Sequence, residues 1–218
     1  MPTVTFDDWV GAVFGHPIRK PEWYWDNDFN ERWDSLGLFD SLTVEYMTRL
    51  FLVPDCLQRY SLEQAAQGIW FLIGDSSPGQ SAHSLLESDV PLEQRVGCVD
   101  AMTNFFRAFV ARAAPEAADE QANPFHTACY MWWDIFPTYG GQNAGEARLH
   151  QACLETMAAI LTVPSELCQL SALHGLNHWH LHHADKVEAL VDEFLRKTPG
   201  LTPRIVRYAA IARLGCAL

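Results

Sequence analysis

The chain has 218 residues, 49% of them hydrophobic, which is enough apolar surface to bury a sizeable core without staples. Its 15 basic residues face 27 acidic ones, and the formal charge of -12 repels phosphate backbones and anionic lipid heads, so neither nucleic acid nor a membrane surface is an expected partner. Basic proteins or peptides, cationic ligands and metal ions are favoured by the same sign.

Thr5 is placed to cap a first helix, with Asp7 and Asp8 in its first turn and Phe6, Trp9, Val10, Val13 and Phe14 at helical spacing up to Gly15. From about 16 to 38 the periodicity is lost. Trp23, Tyr24, Trp25, Phe29 and Trp33 alternate there with acidic residues, and Pro17 and Pro21 predict an irregular arm that packs its aromatics across neighbouring helices. A second helix is expected from about Ser41 to Val53, where Pro54 stops it. Ser61 and Gln64 then form a capping box for a third, with Leu62, Ala66, Ile69, Trp70 and Ile73 inward.

A loop, GDSSPGQS, precedes a long helix opened by Pro91, whose inner face carries Leu92, Val96, Val99, Phe106, Phe109 and Val110. An alanine-acidic connection runs through Ala122. Asn123 and Pro124 start the next helix, with Phe125, Ala128, Cys129, Trp132 and Phe136 as its buried stripe. The loop PTYGGQNAG leads to a helix carrying Leu149, Cys153, Met157 and Ile160. Pro164 breaks it, and Ser165 can cap a histidine-rich helix over 165–183. Asp185 and Glu188 then suggest a fresh start, and Thr202 with Pro203 begins the last helix, which closes near Gly215.

No stretch alternates with period two, so the expected class is all-α, a single domain over 1–218. The helices arrive in antiparallel pairs. Their second members, around QGIWFLI, ACYMWWDI and SALHGLNH, share a small-residue entry followed by bulky side chains, as in an α-solenoid with diverged repeats. A compact irregular helical bundle is the alternative.

YMWWDIFP (Tyr130 to Pro137), SALHGLNHWH (Ser171 to His180) and EWYWDNDF resemble the signatures of a bacterial family with a HEAT-like helical-repeat fold. The resemblance implies that fold over most of the chain and no chemistry. The di-iron hydroxylases of this architecture use adjacent His-Glu pairs, and no histidine here is followed by glutamate. Helical-repeat DNA glycosylases need a basic groove, which the charge disfavours, and no motif specifically supports a phycobilin lyase.

The stretch Cys168 to His183 holds five of the nine histidines. His174, His178 and His182 form a stripe at four-residue spacing, which lets two imidazoles reach one ion, zinc or another divalent transition metal. All three cannot share an ion easily, because His182 lies about 12 Å from His174 along a helix axis. A third ligand must come from another helix. The alternative is a set of surface or groove histidines bonded to loops. Trp132, Trp133 and Asp134 in succession cannot all face one core, so a surface where aromatics and a carboxylate meet a basic group is expected there, with Trp179 a similar candidate. If the aromatic arm covers them instead, they are simply core.

Nucleophile elbows, phosphate-binding glycine loops and HExxH are absent. No signal peptide is expected from MPTVTFDDWV, no run reaches the roughly 18 apolar residues of a membrane span, and the six cysteines form no close pair, so a cytoplasmic setting with free thiols is expected. The leading reading is therefore a non-enzymatic interaction scaffold or adaptor with an acidic, aromatic-rich surface for a basic protein or peptide. The alternative is a metal-dependent enzyme or metal-binding protein centred on 165–183.

Overall fold

The computed structural model describes residues 4–74, 81–113, 123–138 and 146–216. Among them every regular element is helical, and no strand occurs. The connections expected at 75–80, 114–122 and 139–145 lie outside the described residues. No described helix is long and apolar enough to cross a membrane.

Four of the local start signals, at Thr5, Ser61, Asn123 and Thr202, act as expected. Thr5 and Asp8 close a capping box on α1 (Phe6–Phe14), and Ser61 and Gln64 do so on α4 (Leu62–Ile73). Between them lie α2 (Asn27–Ser35) and α3 (Asp40–Leu52). α2 corrects the expectation of an irregular arm, since a short 3-10 turn at Trp23–Trp25 leads into a helix whose start is helped by the Asp26 carboxylate accepting from the Asp28 N–H at 3.0 Å. The arm's rings gather on α4. Trp23, Tyr24, Phe29 and Trp33 surround Phe71 at centroid distances of 4.8–6.0 Å, and His16 stacks on Trp23 at 4.0 Å.

The long helix opened by Pro91 consists of α5 (Leu92–Phe105), a π-helical turn (Phe106–Val110) and α6 (Ala111–Ala113). The π turn, which periodicity does not show, brings Phe105, Phe106, Phe109 and Val110 all into the core. Asn123 caps α7 (Pro124–Tyr130) through the Phe125 N–H, and Thr202 caps α10 (Pro203–Ala212). Ser165 does not cap α9 (Glu166–Lys197) through its side chain; the residue is buried, with its hydroxyl beside the Cys168 thiol. α3 packs on α5 and α5 on α8 (Ala147–Leu161), while α4 packs on α7, α7 on α9 and α9 on α10.

α9 is not one rod. A straight helix of its 32 residues would span about 48 Å, yet both of its ends lie beside the end of α8. Glu166 accepts from the Thr202 hydroxyl at 2.8 Å, and Lys197 and Thr198 line the same groove as Leu161 and Thr162. The chain therefore doubles back at His183, whose φ of -137° and ψ of 38° are non-helical. The break expected between 183 and 185 is this reversal, and it sets limb 166–182 beside both α7 and α10.

Candidate metal centre

Two small residues on limb 166–182 decide how closely α7 approaches it. Ser171 donates to the carbonyl of Cys129 at 2.6 Å, which ties the last turn of α7 to α9 just before His174. The chain then turns, with the N–H groups of Asp134 and Ile135 both donating to the Met131 carbonyl at 3.0 Å. Trp133 in this turn is fully buried against Gly175. A Cβ on Gly175 would lie 2.5 Å from the Trp133 Cβ and 2.7 Å from the Met157 sulfur, so only glycine admits the ring at this depth. Asp134, next in the chain, is thereby carried over His178. Gly175→Ala should cost about 1–3 kcal/mol through overpacking and should weaken any function that needs Asp134 in place. Urea unfolding checks the first effect, and an unchanged midpoint would show that the turn has room to move.

Three donor atoms converge. His178 Nε2 is 3.2 Å from Asp134 Oδ1 and 3.3 Å from His174 Nε2, and all three ligand atoms lie within 4.8 Å of one another. Donors bound tetrahedrally at about 2.0–2.1 Å from an ion stand about 3.3 Å apart, so the two short separations already match a coordination edge. His174 Nδ1 contacts the Tyr208 hydroxyl at 2.8 Å, and Tyr208 contacts the Tyr130 hydroxyl at 2.6 Å. Tyr130 also stacks on the His174 ring at 4.2 Å. If Nδ1–H donates to Tyr208, Nε2 keeps its lone pair facing the other two donors, the tautomer that a metal ligand requires.

The site's electrostatics favour neutral imidazole at its base. His174 is 5% exposed, and burial pushes its pKa down to about 4; repulsion from His178 adds to the fall and Asp134 opposes it. His178 and Asp134 have side chains 32% and 27% exposed, so they form the solvent side. Two imidazoles and one carboxylate suit a divalent transition ion better than magnesium or calcium, which prefer all-oxygen shells.

The structure separates the other expected site residues from this cluster. His182 is exposed, further along the limb from His178, and lies outside the cluster because four more helical residues carry it about 6 Å along the axis. A charge there acts instead on His150, whose buried ring bonds Glu146 and Thr138, each at 3.3 Å. Trp132, Trp133 and Trp179 have no exposed area, which corrects their assignment to a binding surface. Among the described residues, the rings packed on them come from elements other than the arm. Trp132 packs among Phe51, Phe105 and Phe106, Trp133 lies on Gly175 and Phe136, and Trp179 sits between His150 and His183.

Asp134 is thus brought to the histidines and away from the role of a contact residue beside an exposed tryptophan. Sequence reasoning missed Tyr130 and Tyr208 altogether. Tyr130 lies within YMWWDIFP beside two tryptophans of stronger apolar character, and nothing around Tyr208 marks it locally. Gly175, directly after His174 within the histidine stretch, was the readable signal that another segment comes close. Neither protein-family models, curated proteins nor solved structures include a match to this chain.

Proposed function

We propose that this protein binds a divalent transition metal through Asp134, His174 and His178, on an all-helical scaffold of the HEAT-like repeat kind. The observation that carries the metal reading is the convergence of three donors from two separate segments, backed by a tyrosine on His174 Nδ1. Support for a solenoid comes from the two rows of packing, α3 on α5 on α8 and α4 on α7 on α9, which fit helix pairs stacked in order. The bacterial helical-repeat resemblance of YMWWDIFP and SALHGLNHWH agrees with it. The adaptor reading keeps the charge of -12 but loses its aromatic anchors, since the tryptophans that were to contact a basic partner are buried.

Calorimetric titration of untagged protein with zinc or cobalt should give equimolar binding. Asp134→Ala and His178→Ala should each weaken it by at least about 100-fold, and Tyr208→Phe by about 10–100-fold, as expected for a second-layer partner. His182→Ala should leave it unchanged. Circular dichroism confirms that each variant is folded. Absence of binding by the wild type, or equal binding by Asp134→Ala, would overturn the assignment.

A further inference from the structure

We infer that the arm ahead of α2 carries a second binding site, which takes a neutral pyranose sugar stacked on Trp25 and hydrogen-bonded by Arg19 and Asp26. The site shares no residue with the metal centre and does not depend on the metal-binding reading. A cavity of about 540 Å³ opens among Arg19, Lys20, Glu22, Trp23, Trp25 and Asp26. That is within the roughly 300–1,000 Å³ of small-ligand sites.

The fold holds the walls of this cavity in place. Gln67 of α4 donates to the Arg19 carbonyl at 2.8 Å, and Gln64 donates to the His16 carbonyl at 2.9 Å. Trp23 is buried against Phe71, and the 3-10 turn is closed by the Trp25 N–H on the Glu22 carbonyl at 3.0 Å and the Asp26 N–H on the Trp23 carbonyl at 3.2 Å. Trp25 leaves this fixed turn with 48% of its surface exposed, while Trp23 and Tyr24 beside it are buried. A wall set before its ligand arrives loses little ordering entropy on binding.

Charge and hydrogen-bonding capacity select the class of ligand. Arg19 and Lys20 offer donors alone, and the carboxylates of Glu22 and Asp26 offer acceptors alone, so the wall is neutral in a chain whose formal charge is -12. An anion meets two carboxylates here and a cation meets two basic groups, whereas a hydroxyl both donates and accepts and serves either sign. Arg19 Nη1 and Asp26 Oδ2 stand 3.2 Å apart on partly exposed side chains, a spacing that vicinal hydroxyls can bridge. Asp26 Oδ1 accepts from the Asp28 N–H at 3.0 Å, which orients the carboxylate. A pyranose ring adds what an open-chain polyol lacks, a flat face of C–H groups to cover the indole, and burial of the two faces supplies the apolar part of the affinity.

Nitrogen–proton correlation NMR of the full chain tests this through the Trp25 indole N–H, identified by its loss in Trp25→Phe. Cellotriose, maltotriose and tri-N-acetylchitotriose are titrated separately, and at least one should shift that signal saturably at millimolar concentration. Sorbitol, which has hydroxyls and no ring, should leave it in place. Saturation transfer from the protein to the responding sugar should vanish in Trp25→Ala and persist in Trp25→Phe, which keeps a ring face. Arg19→Ala should weaken binding by at least about 10-fold, as for loss of a hydrogen bond to a charged group. Circular dichroism confirms that each variant is folded. If none of the three sugars moves the indole signal, if sorbitol moves it equally, or if binding survives Trp25→Ala, the inference fails, whatever the outcome of the metal titrations.

Discussion

Trp133→Ala should destabilise the protein by about 3–5 kcal/mol, the range for emptying a large aromatic from a packed core. The ring has no exposed area and fills the space over Gly175, with Phe136 at a centroid distance of 5.5 Å. Its indole N–H finds no acceptor among the described residues, so alanine strands no partner and the cost is that of the cavity and lost contacts. Asp134→Asn, one residue on, should change the metal-free stability far less, because the substitution keeps the side chain's size and empties no core space at a partly exposed position. Equilibrium urea unfolding of the two variants measures the contrast. A Trp133→Ala protein as stable as wild type would mean that the ring is not core, and would restore it as a candidate contact residue.

Metal-free protein should also lose about 3 kcal/mol of stability as the pH falls from about 6.5 to about 4, on account of His174. Burial holds this imidazole at about 4 in the folded chain against 6.5 as its ordinary value. The unfolded chain thus takes up the proton first. The contribution of the neutral buried ring is complete above pH 6.5, declines through that window and is fully lost below pH 4. His150 is lowered by burial as well and adds in the same direction. Histidine side-chain resonances followed by NMR, with chelator present, should show one imidazole still neutral at pH 5. His174→Asn should flatten the pH dependence of the urea midpoint. An unaltered dependence in that variant would assign acid sensitivity to other groups.

Neighbouring residues of YMWWDIFP meet different surroundings. In YMWWDIFP the stack on His174 comes from Tyr130, core packing from Trp132 and Trp133, and a carboxylate oxygen 3.2 Å from His178 Nε2 from Asp134. A helical wheel separates such residues by 100° each but does not name what lies opposite each direction. Here the chain leaves α7 before Trp132, so even the wheel no longer applies to the residues that matter.

The sequence alone determined the helical class and most element boundaries, because those depend on groups a few residues apart. Thr5 with Asp8, Ser61 with Gln64, Asn123 with Pro124 and Thr202 with Pro203 all act within one turn of chain. It also singled out His174 and His178, one helical turn apart. Tertiary packing alone decided the rest. The π turn follows from the burial of Phe105, Phe106, Phe109 and Val110 together, and the reversal at His183 brings α10 alongside limb 166–182. Asp134 and Tyr208 reach His174 from 40 residues before it and 34 after, by the close approach over Gly175 and by that fold-back. Helix periodicity is a property of neighbours in the chain, whereas a coordination set is a property of neighbours in space, fixed by how the packed segments fit.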